Sequence, residues 1–178
     1  MLKQILKFGL IAGLIVGIPL SILCLTLKDE PPADWGMVVG YLTMLIAFTT
    51  IFVAIKRQRD IDRGGVIGFW PALGLGLGIS LVASIVYVLA WEASLAITGV
   101  DFANTFANVM IEQEKAKGVS AEALARFTAD MDQFRIQYAN PLFRMPMTFA
   151  EIFPVGLLVS LISAALLRNS RFLAAKRS

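Results

Sequence analysis

The stretch FWPALGLGLGISLVASIVYVLAW, residues 69–91, decides the fold class of this chain. Its 23 residues include no charged side chain, and Trp70 and Trp91 lie at its two ends. As an α-helix this stretch is about 34 Å long, which is enough to cross a hydrocarbon core of roughly 30 Å. Tryptophan favours the headgroup level on both sides of a bilayer. The stretch therefore predicts a transmembrane helix.

The composition agrees with a membrane protein. The chain has 178 residues, of which 57% are hydrophobic and 16% charged, so it is too apolar for an ordinary soluble domain. A single cysteine, Cys24, excludes an internal disulfide, and the absence of histidine disfavours haem, zinc and histidine-based catalysis. We therefore expect no cofactor, no metal and no enzymatic activity. The basic residues cluster at helix ends, which is a pattern of membrane topology and not of nucleic-acid binding.

Four apolar runs predict four spans in a single membrane domain, at about residues 8–27, 36–55, 69–91 and 149–167. The first run follows Lys3 and Lys7, so the alternative is a cleaved signal peptide or, through Cys24, a lipoprotein signal. The run is too long for a signal peptide and lacks a small-x-small cleavage site, and Leu23 stands where a lipoprotein signal needs a small residue. We expect a retained helix.

The distribution of charge predicts the orientation. Residues 1–7, 56–68 and 168–178 hold ten bases and two acids, a net +8, whereas 28–35 and 92–148 with Glu151 hold six bases and eleven acids, a net −5; together these give the +3 of the chain. Bases in short loops favour the cytoplasmic side. Both termini are therefore expected in the cytoplasm. The interfacial aromatic residues fit this frame, with Trp70 at the inner level and four at the outer level: Trp35, Tyr41, Tyr87 and Trp91.

The segment between the third and fourth spans predicts an extracytoplasmic helical hairpin at about residues 101–139. Apolar residues recur at helical spacing in two stripes: Phe102, Phe106, Val109 and Met110 in the first, and Leu124, Phe127, Met131, Phe134 and Tyr138 in the second. Gly118 supplies a helix stop, Ser120 an N-cap, and Asn140 with Pro141 the end of the hairpin. Either the two stripes cover each other, or they offer a face to a partner protein or to lipid headgroups.

Small residues recur at four-residue spacing within the spans. The first span has Gly9, Gly13, Gly17 and Ser21, and the third and fourth have similar series. Such ridges allow close approach of helix backbones in lipid. They predict tight packing within the chain or, for the first span, a homodimer.

Glu151 is the main candidate for a functional side chain. Thr148 and Glu151 have the spacing of a capping box, in which Thr148 is the N-cap of the fourth helix. Pro154 then removes the hydrogen bond to the carbonyl of Ala150 and is expected to bend the helix just inside the interface. An acid beside a bent helix is also a candidate binding site, together with Glu92 at the outer end of the third span.

The strings KRQRDIDRGGVIGF (56–69) and YANPLFRMPMTFAEIFPVGLLVSLISA (138–164) resemble the domain-of-unknown-function family 4199 of bacterial integral membrane proteins. Within these strings lie Arg59 and Asp60, the Asn140–Pro141 break and the acid-x-x-proline sequence of Glu151 and Pro154. The resemblance implies a four-span inner-membrane protein, and it implies no activity, substrate or cofactor.

Together these features predict an all-α polytopic protein in the lipid bilayer. We expect a non-enzymatic structural or accessory protein that binds a partner through the hairpin, and the alternative is a small channel or transporter with a site near Glu151 and Glu92. No span has an ionisable group at its centre, which disfavours a proton-coupled transporter.

Overall fold

A computed structural model describes residues 1–26 and 34–174, which form six α-helices and one turn of π-helix and include no β-strand. The helices are α1 (Leu2–Thr26), α2 (Asp34–Arg57), α3 (Phe69–Thr98), α4 (Phe102–Ala116), α5 (Ala121–Tyr138) and α6 (Pro141–Leu167); the π-helical turn, Gln58–Asp62, directly follows α2. Four of them, α1, α2, α3 and α6, are long and apolar enough to cross a membrane. The predicted all-α class is confirmed, with four helices that are candidate membrane spans.

All four spanning helices are longer than the predicted spans, and the difference is largest for α3 and α6. Helix α3 continues two turns beyond Trp91 and ends where Gly99 takes a left-handed conformation, φ 65°, that suits glycine. Helix α6 begins at Pro141 instead of near Phe149. Charged side chains at these ends therefore belong to helices and not to loops.

Helices α1 and α3 run parallel in a constant register. The glycine ridge of α1 lies against α3, so that an added Cβ would be 2.6 Å from Val82 Cβ at Gly9, 2.5 Å from Val86 Cβ at Gly13 and 2.9 Å from Ala90 Cβ at Gly17. Each partner on α3 is 73 positions further along the chain. Glycine is required here because any larger side chain would separate the two backbones.

Helices α3 and α6 run antiparallel and pack through another face of α3. Gly76 lies against Ser160 and Gly156 against Ser80, and the two serine Oγ atoms are 3.1 Å apart. Each serine hydroxyl also donates a hydrogen bond to the carbonyl of the glycine four residues before it. The small-residue series of both helices thus pack within the chain.

Helix α2 closes the core over this contact. Phe48 and Ile51 are fully buried, and they lie against Gly156 and Gly76 respectively. Helix α3 is the most buried of the four spans and forms the centre of the bundle, with α1 and α6 on different faces. The middle of the bundle is therefore packed with apolar and small hydroxyl side chains.

The hairpin of α4 and α5 has the predicted boundaries. Asp101 caps α4 by accepting from Asn104 N, and Ser120 caps α5 by accepting from Ala123 N. Gly118 in the turn has φ 70°. The two helices, the Gly118 turn and the Ser120 cap lie where the sequence predicts them, whereas the Asp101 cap was not predicted. The extracytoplasmic position of the hairpin stays a prediction.

The three segments with excess basic residues meet at one end of the bundle, which we term the terminal end. Gln4 Nε2 donates to Asp62 Oδ2 at 2.6 Å, and Arg59 Nη1 donates to the carbonyl of Phe172 at 2.8 Å. The hairpin lies at the opposite end, beyond the last turn of α3 and the first turn of α6. This grouping matches the two sides of the charge distribution.

Candidate functional site at the hairpin end

An ion pair between α3 and α6 forms the centre of the hairpin end. Arg144 Nε donates to Glu92 Oε1 at 2.7 Å and Nη2 donates to Oε2 at 2.5 Å, so the two planar groups meet side by side. Their side chains are only 16% and 19% exposed. Such a bidentate pair is stronger and more directional than a single contact. It continues the antiparallel register of Gly156–Ser80 and Ser160–Gly76, since the residue numbers in all three pairs sum to 236.

The same arginine also holds the last turn of the hairpin. Arg144 Nη1 donates to the carbonyl of Tyr138 at 3.2 Å, and the guanidinium carbon lies 5.6 Å from the centre of the Tyr138 ring. Trp91 Nε1 donates to the Tyr138 hydroxyl at 2.9 Å. Burial raises the pKa of Tyr138 to about 12, so its hydroxyl stays neutral at ordinary pH. Trp91, Glu92, Tyr138 and Arg144 together are termed the clamp below.

An aromatic cluster extends from the clamp into the hairpin. Trp91 meets Phe102 edge to face at 5.1 Å between centroids, and Phe102 contacts both Phe106 and Tyr138. Phe106 in turn contacts Phe134 across the hairpin at 5.6 Å. The two apolar stripes therefore cover each other near the membrane, and they do so against a tryptophan of α3.

An open cleft of about 460 Å³ lies beside the clamp. Its lining includes Glu92, Gly99, Asp101, Tyr138 and Arg144. Glu92 and Arg144 already pair with each other, and Asp101 already accepts a hydrogen bond as the N-cap of α4. The part of the chain that the structure describes contains no cluster of metal-ligating side chains.

Asn140 and Pro141 end the hairpin as predicted, and they also begin the fourth spanning helix, which the sequence does not predict. Asn140 Oδ1 accepts from Leu142 N and so caps α6, and Pro141 is its first residue. Proline is favourable there because its missing N–H would have no partner in the first turn. The pair therefore starts the fourth spanning helix as well as ending the hairpin.

The predicted capping box of Thr148 and Glu151 is wrong. Thr148 lies two turns inside α6, and its Oγ1 donates to the carbonyl of Arg144 at 3.0 Å. Glu151 is exposed on α6, and among the described residues its carboxylate has no hydrogen-bond or ion-pair partner. Helix α6 also continues through Pro154, which is exposed. The error arose because a capping box is a local pattern, and the stronger start signal was the Asn140–Pro141 pair.

Arg59 and Asp60 lie at the terminal end, far from the other candidates. Arg59 is fully buried in the π-helical turn, where its Nε donates to Asp60 Oδ1 at 2.6 Å. Its other nitrogens donate to backbone carbonyls after α6, at 2.8 Å for Phe172 and 2.9 Å for Leu173. Lys56 Nζ also donates to Asp60. These residues close the end of α6 and do not contribute to the hairpin-end site.

The sequence does not predict the roles of Arg144 and Tyr87 at the hairpin end. Arg144 lies in one of the two strings that resemble the family, but no spacing rule predicts its pairing with Glu92, 52 positions away. Tyr87 was predicted as an interfacial anchor, yet it is only 5% exposed, because it faces the core of the bundle. Trp70 is 77% exposed and fits the predicted anchor, whereas the side chain of Trp35 lies outside the described residues.

Comparison with known proteins identifies the family and nothing more specific. Residues 7–169 match the family described as "Protein of unknown function (DUF4199)". The chain belongs to this family. The match confirms the resemblance that the two sequence strings indicate and covers both ends of the bundle. No curated protein and no solved structure matches this DUF4199 chain.

Proposed function

We propose that this DUF4199 protein is a non-enzymatic accessory protein of the bacterial inner membrane that holds its hairpin as a rigid platform for a partner protein. The single observation that carries the proposal is the clamp. Glu92 and Arg144 are two largely buried charges whose mutual geometry fixes the end of α5 against α3 and α6. A fixed orientation of the hairpin suits a surface that a partner protein recognises.

The packing of the bundle also supports a structural role. The middle layer contains Phe48, Ile51 and the Ser80–Ser160 contact, each of them fully buried. Hydroxyl groups in this layer bond to carbonyls of their own helices, which leaves them no free donor for a solute.

The proposal includes an orientation, with both termini in the cytoplasm and the hairpin outside. Single cysteines at Ser120 and Ser170, both exposed, provide the test in a Cys24→Ala background. A membrane-impermeant maleimide added to intact spheroplasts is expected to label Ser120→Cys and to label Ser170→Cys only after permeabilisation. Labelling of both sites from the same side contradicts a four-span topology.

Partner binding is tested by photo-crosslinking in cells. A photoreactive phenylalanine at the exposed position Gln133 is expected to give one discrete adduct, and the same residue at exposed Asn169 is expected to give none. Arg144→Glu should abolish the Gln133 adduct by releasing the hairpin, and the exchanged pair Glu92→Arg with Arg144→Glu should restore it only in part, because a carboxylate at position 144 cannot donate to the carbonyl of Tyr138. An adduct that Arg144→Glu leaves unchanged would show that the hairpin needs no fixed orientation, and absence of any adduct removes the hairpin as the binding surface.

A small channel or transporter with a site near Glu151 and Glu92 is the second candidate. Its support is the carboxylate of Glu151 on a spanning helix, which has no partner among the described residues, because acids within membranes often mark ion pathways. Purified protein in liposomes with a membrane potential provides the test. Cation flux that Glu151→Gln abolishes supports this candidate, and equal flux in liposomes with and without the protein opposes it.

A further inference from the structure

We propose that the exposed face of α6 around Glu151 binds a transmembrane helix of a different membrane protein, one that carries a lysine or arginine within its span. This surface lies within the membrane, so it is separate from the hairpin and does not rest on the function proposed above. The position of Glu151, its surroundings and the charges of this chain support it in turn.

The antiparallel register of α3 and α6 gives the depth of Glu151. Residue numbers in contact across this interface sum to 236, so Glu151 lies level with Ile85. Ile85 is six residues before Trp91, which corresponds to about 9 Å along the helix. The Cα of Glu151 is therefore well inside the level of Trp91, whereas Glu92 and Arg144 lie at that level.

The surroundings of Glu151 are apolar and outward-facing. Met147, Leu158 and Ile162 share its side of the helix by their spacing, and they are 47%, 57% and 50% exposed. Among the described residues no base contacts the carboxylate. An ionised acid on such a face is unfavourable in lipid, most of all near the bilayer centre and less toward the interface. A cation at the same depth offsets part of this cost through a direct ion pair.

The charges of the chain argue against a second copy as the source of that cation. In the described spanning helices, the bases Lys3, Lys7, Lys56 and Arg57 lie at the terminal end, and Arg144 is already paired with Glu92. A lipid ammonium group also fits poorly, because headgroups lie at or beyond the tryptophan level. A base within a helix of another protein satisfies both the charge and the depth.

The experiment uses defined helices instead of an unknown partner. Two synthetic leucine-alanine helices, one with a single lysine about 9 Å from one end of its apolar span and one with leucine there, are reconstituted with the protein in phosphatidylcholine vesicles. Energy transfer from a dye on the peptide to a dye on Ser120→Cys, in a Cys24→Ala background, measures association. The lysine helix is expected to associate about tenfold more tightly than the leucine helix.

Substitutions then assign the preference to Glu151. Glu151→Gln should abolish it while leaving thermal stability unchanged, whereas Asp130→Asn, which removes an exposed acid from the hairpin, should retain it. Equal association of the two helices with the parent protein overturns the proposal, as does a preference that persists in Glu151→Gln. Because this assay does not involve the hairpin's partner, its outcome is independent of the Gln133 crosslinking result.

Discussion

The two ends of the bundle each hold a buried arginine near one end of α6, and they use it differently. At the terminal end Arg59 is fully buried and bonds mainly to backbone carbonyls after α6. At the hairpin end Arg144 is partly exposed and bonds mainly to the side chain of Glu92. A contact to the backbone depends on one residue and the path of the chain, whereas a contact between two side chains can be exchanged or opened. The terminal end is therefore a fixed closure, and the hairpin end is the adjustable one.

Arg59 is expected to give the largest effect. Arg59→Gln removes a buried cation, leaves Asp60 with only Lys56, and leaves the carbonyls of Phe172 and Leu173 without these donors, so we expect a loss of about 3 to 5 kcal/mol. Arg59→Lys should recover little, because an ammonium cannot match the planar fork. Thermal unfolding in mild detergent measures the effect. The matched control is Arg57→Gln, an exposed base two residues earlier, and equal losses at both positions would contradict the closure.

The ion pair at the hairpin end should be exchangeable. Arg144→Glu or Glu92→Arg alone places two like charges together and is expected to destabilise the protein by about 2 to 3 kcal/mol. The double exchange should recover more than half of that loss. Unfolding free energies of the four proteins form a double-mutant cycle. If the loss of unfolding free energy in the double variant equals the sum of the losses in the two single variants, the ion pair is not exchangeable. The hairpin end is then as fixed as the terminal end.

Gly13 tests whether the two ends are connected through the middle of the bundle. In Gly13→Leu the new Cβ would be 2.5 Å from Val86 Cβ, so α1 must move away from α3 along its length. We expect a loss of about 1 to 3 kcal/mol. Hydrogen exchange should then increase both at Gln4, near the terminal end, and at Trp91. Leu14→Ala, at an exposed neighbouring position, should change neither; exchange that increases at one end only would separate the two ends.

The smallest effect is expected at the Tyr138 hydroxyl. Tyr138→Phe removes the acceptor of the Trp91 indole, and we expect a loss of about 1 kcal/mol. In the parent protein the raised pKa of Tyr138, about 12, means that its contribution is complete below pH 10 and is lost as the pH rises through 12. The phenylalanine variant should lack this alkaline loss. Trp91 fluorescence during alkaline unfolding distinguishes the two proteins, and identical curves would exclude the hydroxyl from the clamp.

The glycine ridge of α1 and the face of α6 around Glu151 differ in how accessible they are to another helix. The homodimer through the glycine ridge of α1 stays an untested prediction, and it would have to displace α3, which fills that ridge through Val82, Val86 and Ala90. A dimer seen at micromolar concentration in detergent would therefore require a different face. The face around Glu151 is open in the described chain, which makes it the more accessible surface for another helix.

The sequence by itself determined the class of protein, the four spans, the hairpin and the family, because each of these depends on local periodicity, length and composition. Gly118, Ser120 and the Asn140–Pro141 pair gave their signals within a few residues and kept their predicted places. Only the tertiary structure decided that Glu92 pairs with Arg144 and that Arg59 bonds to the chain after α6, because those partners lie 52 to 114 positions apart. Glu151 changed from a helix cap to an outward-facing acid for the same reason: its role depends on where α6 starts and on which face α3 covers.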